Sequence, residues 1–578
     1  MNTKTRPFFP LPRLAKALGL SVLLLAGASQ RGYAQGPATT AASAARPNIV
    51  YIMSDDHSYQ TISAYGSAVS KLAPTPNIDR IGREGIVYEK AFVENSLCTP
   101  SRAALMTGLY SHQNGQRQLA EGIDSTKVHF SELLHQQGYQ TAVVGKWHMS
   151  VKPKGFDYYH ILDDQGKYYN PTFKGPDTGN KFVREEGYAT DLITAHAIDF
   201  LDKRDKSKPF TLLVHHKAPH RNWMPDLKYL DLYNDVTFPV PPTFFDDYAT
   251  RGIAAKSQKM SITKDMELLQ DLKIDELKDQ AQTPYDKLSY QILMSELGRL
   301  TPTQRAAWDK HYKERNARFL KANLQGKELA LWKYQEYMRD YLRCIKSVDD
   351  NVGVLLDYLQ KNGLDKNTIV LYTSDQGFYM GEHNWFDKRF MYEESFRTPL
   401  LVRYPPAIKA GTRSTTLVQN IDFAPTFLSL AGIAKPQEMS GVSLEPTFGG
   451  PTPATWRKDL YYHYYDYPAF HLVRKHDGVR TEQYKLIHFY GKGGMRGATT
   501  KYQTTPGTRE YSVLQLLLKA GYISDAPDIN YDELYDLKAD PHELHNLYGK
   551  PGYEKVTADL QQRLTRYRTT LKVPVDEY

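Results

Sequence analysis

Several short stretches of this sequence deliver reactive side chains at their ends. PNIVYIMSDD closes on Asp55 and Asp56, TAVVGKWH on Lys146 and His148, and TIVLYTSDQG on Asp375 and Gln376. PFTLLVHHKAPH carries His215 and His216 and closes on His220. Three carboxylates and an amide oxygen are hard donors, suited to Ca²⁺ and less well to Mg²⁺. A further stretch, LCTPSRAALMTG (Leu97–Gly108), holds one of only two cysteines in the chain. A helix is expected from Pro100 to Gly108, with Cys98 at its N-terminus, where amides and dipole favour an anion and lower a thiol's pKa. A thiol nucleophile is therefore the first reading. A soft thiolate is nevertheless a poor partner for a hard cation, and an oxygen at position 98 fits the acids better.

These groups must be held by strands. Each of the four segments is a short apolar run with polar residues at its C-terminal end, the pattern of a mostly parallel sheet whose ligands sit beyond the strand ends. SELLHQQG, closed by Gly138, and YATDLITAHAIDFLDKR read as covering helices. Residues 221–345 are expected to form a helix-rich insertion, with a Thr301–Gln304 capping box and Pro302 in the first turn. Leu331, Tyr334, Met338, Tyr341, Ile345, Val348, Val352, Leu355 and Leu359 then make one buried helical stripe ending near Gly363, and Cys344 beside it reads as a small buried hydrophobe. Beyond residue 455 the sequence is rich in Tyr, Val and Ile. Asp477-Gly478 reads as a hairpin turn, and Asp540-Pro541 as the start of a helix. The expected organisation is a catalytic domain over 47–455 and an α+β subdomain with an antiparallel sheet over 456–578.

The first 34 residues read as a signal peptide: a basic start, the apolar run Ala17–Ala28, and Gly32-Tyr33-Ala34 as a cleavage site. No cysteine follows that run, and no later run is long enough to span a bilayer, so the expectation is an exported protein, periplasmic or secreted, without stable membrane insertion. Residues 35–46 read as a flexible lead-in. The formal charge of +8 falls to about +3 once the five basic residues of the leader are removed, and no basic run remains to engage nucleic acid. The 42 tyrosines suit contacts with sugars, although ordinary packing explains them as well.

Cys98-Thr-Pro-Ser-Arg102 followed by AALMTG resembles the signature of the sulfatases, in which the cysteine is oxidised to formylglycine. The Asp55-Asp56 strand, GKWH, APH, TSDQG and DKRFMYEESFRTPLL resemble further segments of that family, in the same order. The resemblance implies an alkaline-phosphatase-like α/β sandwich with a large, mixed, mostly parallel sheet. It implies Ca²⁺ on Asp55, Asp56, Asp375, Gln376 and the residue-98 oxygen, and a formylglycine-generating maturation enzyme as partner. Many relatives carry Asn or His where Gln376 stands. In this scheme Arg102 holds the residue-98 hydroxyls, Lys146 and His148 flank them, and Lys388 and His220 face the ester oxygen, with His220 protonating the leaving alcohol. A formylglycine hydrate has two hydroxyls on one carbon: one attacks sulfur, and the other expels sulfate by reforming the aldehyde. A cysteine so used needs no disulfide partner.

HHKAPHRNWMPD and YYHYYDYPAFHLVRKHDGVRTE resemble exported bacterial glycan sulfatases, nearest to those acting on 6-O-sulfated N-acetylglucosamine. His216, His471, His476 and Arg480 are the candidates to contact the sugar. The alternatives are an arylsulfatase, a phosphate or phosphonate ester hydrolase of the same superfamily, and a catalytically silent protein that binds sulfated glycans.

Overall fold

The computed structural model describes residues 46–449, 451–575 and 578. The expected leader and nearly all of the lead-in lie outside these residues. At the centre is β1 (Asn48–Ser54), buried throughout after its first residue. Its side chains alternate between two cores: Ile49, Tyr51 and Met53 pack with Phe130 and Phe427, and Val50 and Ile52 with Tyr341 and Val348. A strand buried on both faces needs the continuous apolar run seen in the sequence. Full burial of each such side chain is worth about 1.5–3 kcal/mol.

Nine strands join β1 in one sheet: β2 (Ile86–Tyr88), β3 (Gln140–Gly145), β4 (Tyr158–Leu162), β5 (Thr172–Lys174), β6 (Val183–Arg184), β7 (Phe210–His216), β8 (Thr368–Ser374), β9 (Leu400–Arg403) and β10 (Thr412–Ser414). Their order is β10-β2-β9-β8-β1-β7-β3-β4-β5-β6. The run from β8 through β4 is parallel, and β9, β5 and β6 add antiparallel pairings towards the edges. The expected mixed, mostly parallel sheet is present.

The helices that matter most for the site are α1 (Cys98–Thr107), α2 (Phe130–Gln136), α3 (Ala189–Lys203), α4 (Pro284–Leu297), α5 (Pro302–Ala322) and α6 (Gly326–Lys361). Thr301 and Gln304 form the expected capping box of α5. The apolar stripe of α6 is buried as read, with Cys344 wholly inside it. The region from residue 221 differs from expectation. Up to residue 283 it holds only short helical turns, Leu227–Tyr229, Ile253–Ser257 and Asp275–Gln280, and the long helices come afterwards. Pro225, Pro239, Pro241 and Pro242 deny this stretch the amide donors a helix needs.

Towards the C-terminus, β11 (Asp459–Tyr464), β12 (His476–Thr481), β13 (Tyr484–Gly491) and β14 (Ile529–Asp536) make an antiparallel sheet in that order, and α7 (Glu554–Thr570) packs on it. Two local expectations are corrected here. Asp477-Gly478 is not a turn but lies inside β12, and the hairpin reverses at Glu482-Gln483. A Cβ on Gly478 would stand 2.4 Å from the Leu486 carbonyl oxygen and 2.5 Å from Met391 Sδ, so glycine serves close packing there. Asp540-Pro541 starts no helix. Leu547 N donates to Leu534 O at 2.8 Å and Leu534 N to Asn546 Oδ1 at 2.9 Å, which holds the segment against β14. Among the described residues no helix is long and apolar enough to cross a membrane.

Candidate active site

β1 and β8 run parallel with Ser54 opposite Ser374, so Asp55 and Asp375 leave the sheet side by side. Asp56 turns back with φ 65°, a conformation that non-glycine residues hold only when their surroundings impose it. Its amide donates to Asp375 Oδ1 at 3.1 Å. Tyr341 of α6 donates to the Asp56 carbonyl at 2.6 Å and accepts from Ser58 N at 2.9 Å, so the long helix braces this turn. Asp55, Asp56 and Asp375 are buried and each offers an oxygen within 4.8 Å of the others. Gln376 Nε2 donates to Asp56, while its Oε1 is buried without a hydrogen-bond partner. Converging carboxylates and a stranded acceptor are the donor set of a hard divalent cation, and they fit Ca²⁺.

α1 begins at Cys98, two residues earlier than expected, because Leu97 is extended and its carbonyl accepts from Ser101 N at 2.9 Å. Cys98 Sγ lies 3.5 Å from Asp55 Oδ1, 3.4 Å from Lys388 Nζ and 3.9 Å from Gln376 Nε2. Both cysteines are free and buried. Burial, reinforced by Asp55, pushes the Cys98 thiol well above its ordinary range. That direction is opposite to the lowering expected of a thiol at a helix N-terminus.

Arg102 is wholly buried. Its Nε and Nη2 donate to Asp375 Oδ2 at 3.2 and 3.0 Å, Nη2 to Asp55 Oδ2 at 3.2 Å, and Nη1 to the Lys146 carbonyl at 2.6 Å. Those bonds fix the acids and none goes to position 98. Lys146 follows Gly145, where φ is 94° and a Cβ would meet the His215 carbonyl oxygen at 2.0 Å. Lys146 Nζ pairs with Asp55 and donates to Gln165 Oε1 at 2.5 Å. Gln165 Nε2 in turn lies 2.9 Å from His148 Nε2. A lysine can only donate, so the Gln165 oxygen faces it and the amide NH₂ faces the ring, making His148 Nε2 an acceptor. His148 Nδ1 is 3.3 Å from Thr99 Oγ1. Lys388 Nζ reaches both Asp56 oxygens at 2.6 and 2.8 Å, and His220 Nε2 stands 3.8 Å from Asp56 Oδ2.

Burial would raise Asp55, but Lys146, His220 and Arg102 outweigh it and hold it well below the carboxylate range. Burial pushes Asp56 up to about 7 against Lys388, with Asp55 and Asp375 adding repulsion. Asp375 is also raised, by burial and by Asp55. Repulsion of this kind is what a bound cation relieves. Burial and Lys146 push both His148 and His220 well below their ordinary value, so both are neutral bases at neutral pH.

Cys98, His148, His220 and Lys388 open into a cleft of about 1060 Å³. Its wall brings in residues that sequence reasoning missed. Asp387 and Arg389 flank Lys388 with φ of 80° and 96°, and Arg389 Nε donates to Asp387 Oδ1 at 3.1 Å. His471, one of the four candidates named from the sequence, lines the same wall, 3.2 Å from Asp387 Oδ2. Lys217 is 3% exposed, with its ammonium 4.9 Å from the Tyr168 ring centre and no carboxylate within ion-pair distance among the described residues; burial lowers it to about 8. Gln165 belongs to no motif, and Lys217 lies inside the HHKAPH stretch, where the histidines carry the expected chemistry; only their neighbours in space mark them.

Three candidates for sugar contact are not brought to the cleft. His216 follows His215 in β7 and so points to the opposite face, towards Asp191 of α3. His476 is enclosed by Phe390, Tyr462, Tyr464 and Phe489, with its Nε2 accepting from Met391 N at 3.1 Å. Arg480 is held by both oxygens of Glu393 at 3.2 and 3.0 Å and lies over the Phe92 ring.

A sulfatase family model matches residues 47–433, and a model for the C-terminal part of N-sulphoglucosamine sulphohydrolase matches 381–497 and 520–570. The chain belongs to the sulfatase family. It is 46% identical to an N-acetylglucosamine-6-O-sulfatase of Bacteroides thetaiotaomicron over 90% of this chain and 86% of that protein. It is 29% identical to the human N-acetylglucosamine-6-sulfatase over 78% and 72% of the two chains. A solved structure of a protein in complex with its substrate, D-glucosamine-2-N,6-O-disulfate, superposes with a TM-score of 0.80 at 44% identity, covering 92% of this chain and 99% of that one. A phosphonate monoester hydrolase of Agrobacterium radiobacter shares the fold at 16% identity, with a TM-score of 0.61 over 91% and 96% of the two chains. This sulfatase is accordingly an enzyme, a hydrolase of sulfate esters.

Proposed function

We propose that this sulfatase removes the 6-O-sulfate from N-acetylglucosamine or a related sulfated glucosamine, using formylglycine at position 98 and Ca²⁺. The observation that carries the reading is the approach of Cys98, which lines a glycan-sized cleft, to three converging buried carboxylates and to Gln376, whose Oε1 has no hydrogen-bond partner among the described residues. Asp55, Asp56, Asp375 and Gln376 would hold the cation, which supplies positive charge to ionise the position-98 group and to offset charge on the sulfuryl oxygens. Formylglycine supplies an oxygen nucleophile matched to that hard ion, which a thiol does not.

The chain's own residues do the rest. Arg102 locks the acids and the Lys146 carbonyl in place. Gln165 donates to His148 Nε2 and so keeps that nitrogen unprotonated, a base that can exchange the amide for a proton beside position 98. Lys388 offers a fixed ammonium to the ester oxygen, and His220, neutral at rest and within 4.8 Å of position 98, would pass to the leaving alcohol a proton it takes up as the position-98 group ionises. Asp387, Arg389 and His471 form a rigid polar wall suited to sugar hydroxyls, and Lys217 offers a charge without a counter-ion to an anionic group. The N-terminal segment would direct export, and a formylglycine-generating enzyme would mature Cys98. The 46% identical N-acetylglucosamine-6-O-sulfatase and the 44% identical structure bound to D-glucosamine-2-N,6-O-disulfate support a glucosamine substrate.

Parallel rates of the matured enzyme on 6-O-sulfated N-acetylglucosamine, an aryl sulfate, a phosphate monoester and a phosphonate test this. The sugar sulfate is expected to have the highest kcat/KM. Equal or faster turnover of the phosphate or phosphonate would defeat the reading, and binding without turnover of any of them would favour a silent glycan-binding protein.

A further inference from the structure

At the far edge of the ten-stranded sheet, three chain segments bring together groups that the sulfatase chemistry does not use. His160 lies in β4, Glu185 follows β6, and His196 lies in α3. His160 Nε2 is 2.8 Å from Glu185 Oε1 and His196 Nε2 is 2.8 Å from Oε2, with the two imidazoles stacked at 3.7 Å between ring centres. The three residues each offer a ligand atom, all within 4.8 Å of one another.

Neutral imidazoles account badly for this arrangement; a protonated His160 would serve both Glu185 and Asp177, and metal titration separates that case from a bound cation. If both imidazoles are neutral and donate to Glu185, each carries its hydrogen on Nε2. His160 Nδ1 is then a bare lone pair, buried and without a hydrogen-bond partner. The carboxylate beside it, Asp177 Oδ1 at 3.4 Å, is also an acceptor. A divalent cation among the two Nε2 atoms and a Glu185 oxygen reverses the balance. The ring hydrogens move to Nδ1, and His160 Nδ1–H then faces Asp177, the carboxylate-behind-histidine support common at metal ligands.

We propose that His160, Glu185 and His196 form a second metal site, selective for a borderline cation such as Zn²⁺ and chemically distinct from the all-oxygen cluster at the strand ends. His196 and Glu185 are both partly exposed, so the site opens beside α3 and leaves a position for water. Its occupant joins β4, α3 and the end of the β5–β6 hairpin. That hairpin contributes Thr172, Lys174 and Phe182 to the cleft wall, so the metal would fix one side of the substrate cleft without touching the reaction.

The test is calorimetric titration of Zn²⁺ into the full chain carrying Cys98→Ala, with Ca²⁺ in large excess so that neither the thiol nor the acidic cluster competes. One equivalent of Zn²⁺ is expected. It should be lost in His196→Ala and in Glu185→Gln, and weakened about 10–100-fold in Asp177→Asn. Bound Co²⁺ should give the visible absorption of a low-coordinate nitrogen and oxygen site, again absent in His196→Ala. Absence of stoichiometric Zn²⁺ binding, or binding retained in both ligand variants, would overturn the site; the first outcome would make the trio a carboxylate bridging two histidines. None of these readouts depends on the sulfatase reading.

Discussion

In the four-stranded sheet, Arg480 places two nitrogens on Glu393, Lys485 Nζ lies 2.9 Å from the same carboxylate, and Arg568 grips both oxygens of Asp477 at 2.8 and 2.6 Å. His476 uses both ring nitrogens, Nε2 towards Met391 N and Nδ1 towards Arg474 O. At the strand ends the same kinds of residue are equally buried but differently served. Asp55, Asp56 and Asp375 crowd one another, and among the described residues Gln376 Oε1 has no hydrogen-bond partner and Lys217 no counter-ion. Burial of charge is common to both regions. What marks the second as a site is that its hydrogen-bond and charge accounts stay open on the side facing the cleft. His476 and Arg480 look like ligand contacts in sequence because their residue types are right, and they fail because the protein itself already satisfies them.

The contrast can be broken by substitution. Cys98→Ala should abolish sulfate release from 6-O-sulfated N-acetylglucosamine while thermal unfolding is nearly unchanged; measurable turnover would show that position 98 is not the reacting group. Lys388→Ala should lower kcat by about 10²–10³-fold, the usual cost of losing one fixed stabilising group. Arg480→Ala should do the reverse. Leaving Glu393 buried beside one fewer cation should cost about 3–5 kcal/mol in denaturant unfolding, with kcat of the folded fraction preserved. A large fall in kcat at full stability would move Arg480 into the working site.

The smallest effect sharpens the comparison most. Lys217→Met should raise KM about 10–100-fold by removing a charged hydrogen bond. The sign of the pH dependence follows from burial. Lys217 is charged below about 8 and loses its proton as pH rises through that value. Wild-type KM should therefore increase above pH 8, and the KM of Lys217→Met should be flat there. Parallel profiles for the two proteins would assign Lys217 to structure alone.

Much of this was legible in the sequence. Apolar runs ending in Asp55, Lys146, His215 and Asp375 are β1, β3, β7 and β8, because a strand buried on both faces leaves no alternative pattern. The stripe and capping box that announce α6 and α5 are local properties. The misses share a cause: the decisive partner is distant in sequence. Gly478 reads as a turn until Met391 and Leu486 close on it. Asp540-Pro541 reads as a helix start until Leu547 and Asn546 bond back to β14. Gln165 has no motif, Lys217 and Arg389 sit within motif segments beside the histidines and Lys388 that announce the chemistry, and only the placement of all three around the cleft makes them part of it.

Mass analysis of the peptide bearing residue 98, from enzyme of measured specific activity, tests the central claim most directly. The prediction is an aldehyde or its hydrate at that position, in a fraction that tracks activity from preparation to preparation. Fully active enzyme carrying only the thiol, or Cys98 bonded to Cys344, would contradict it.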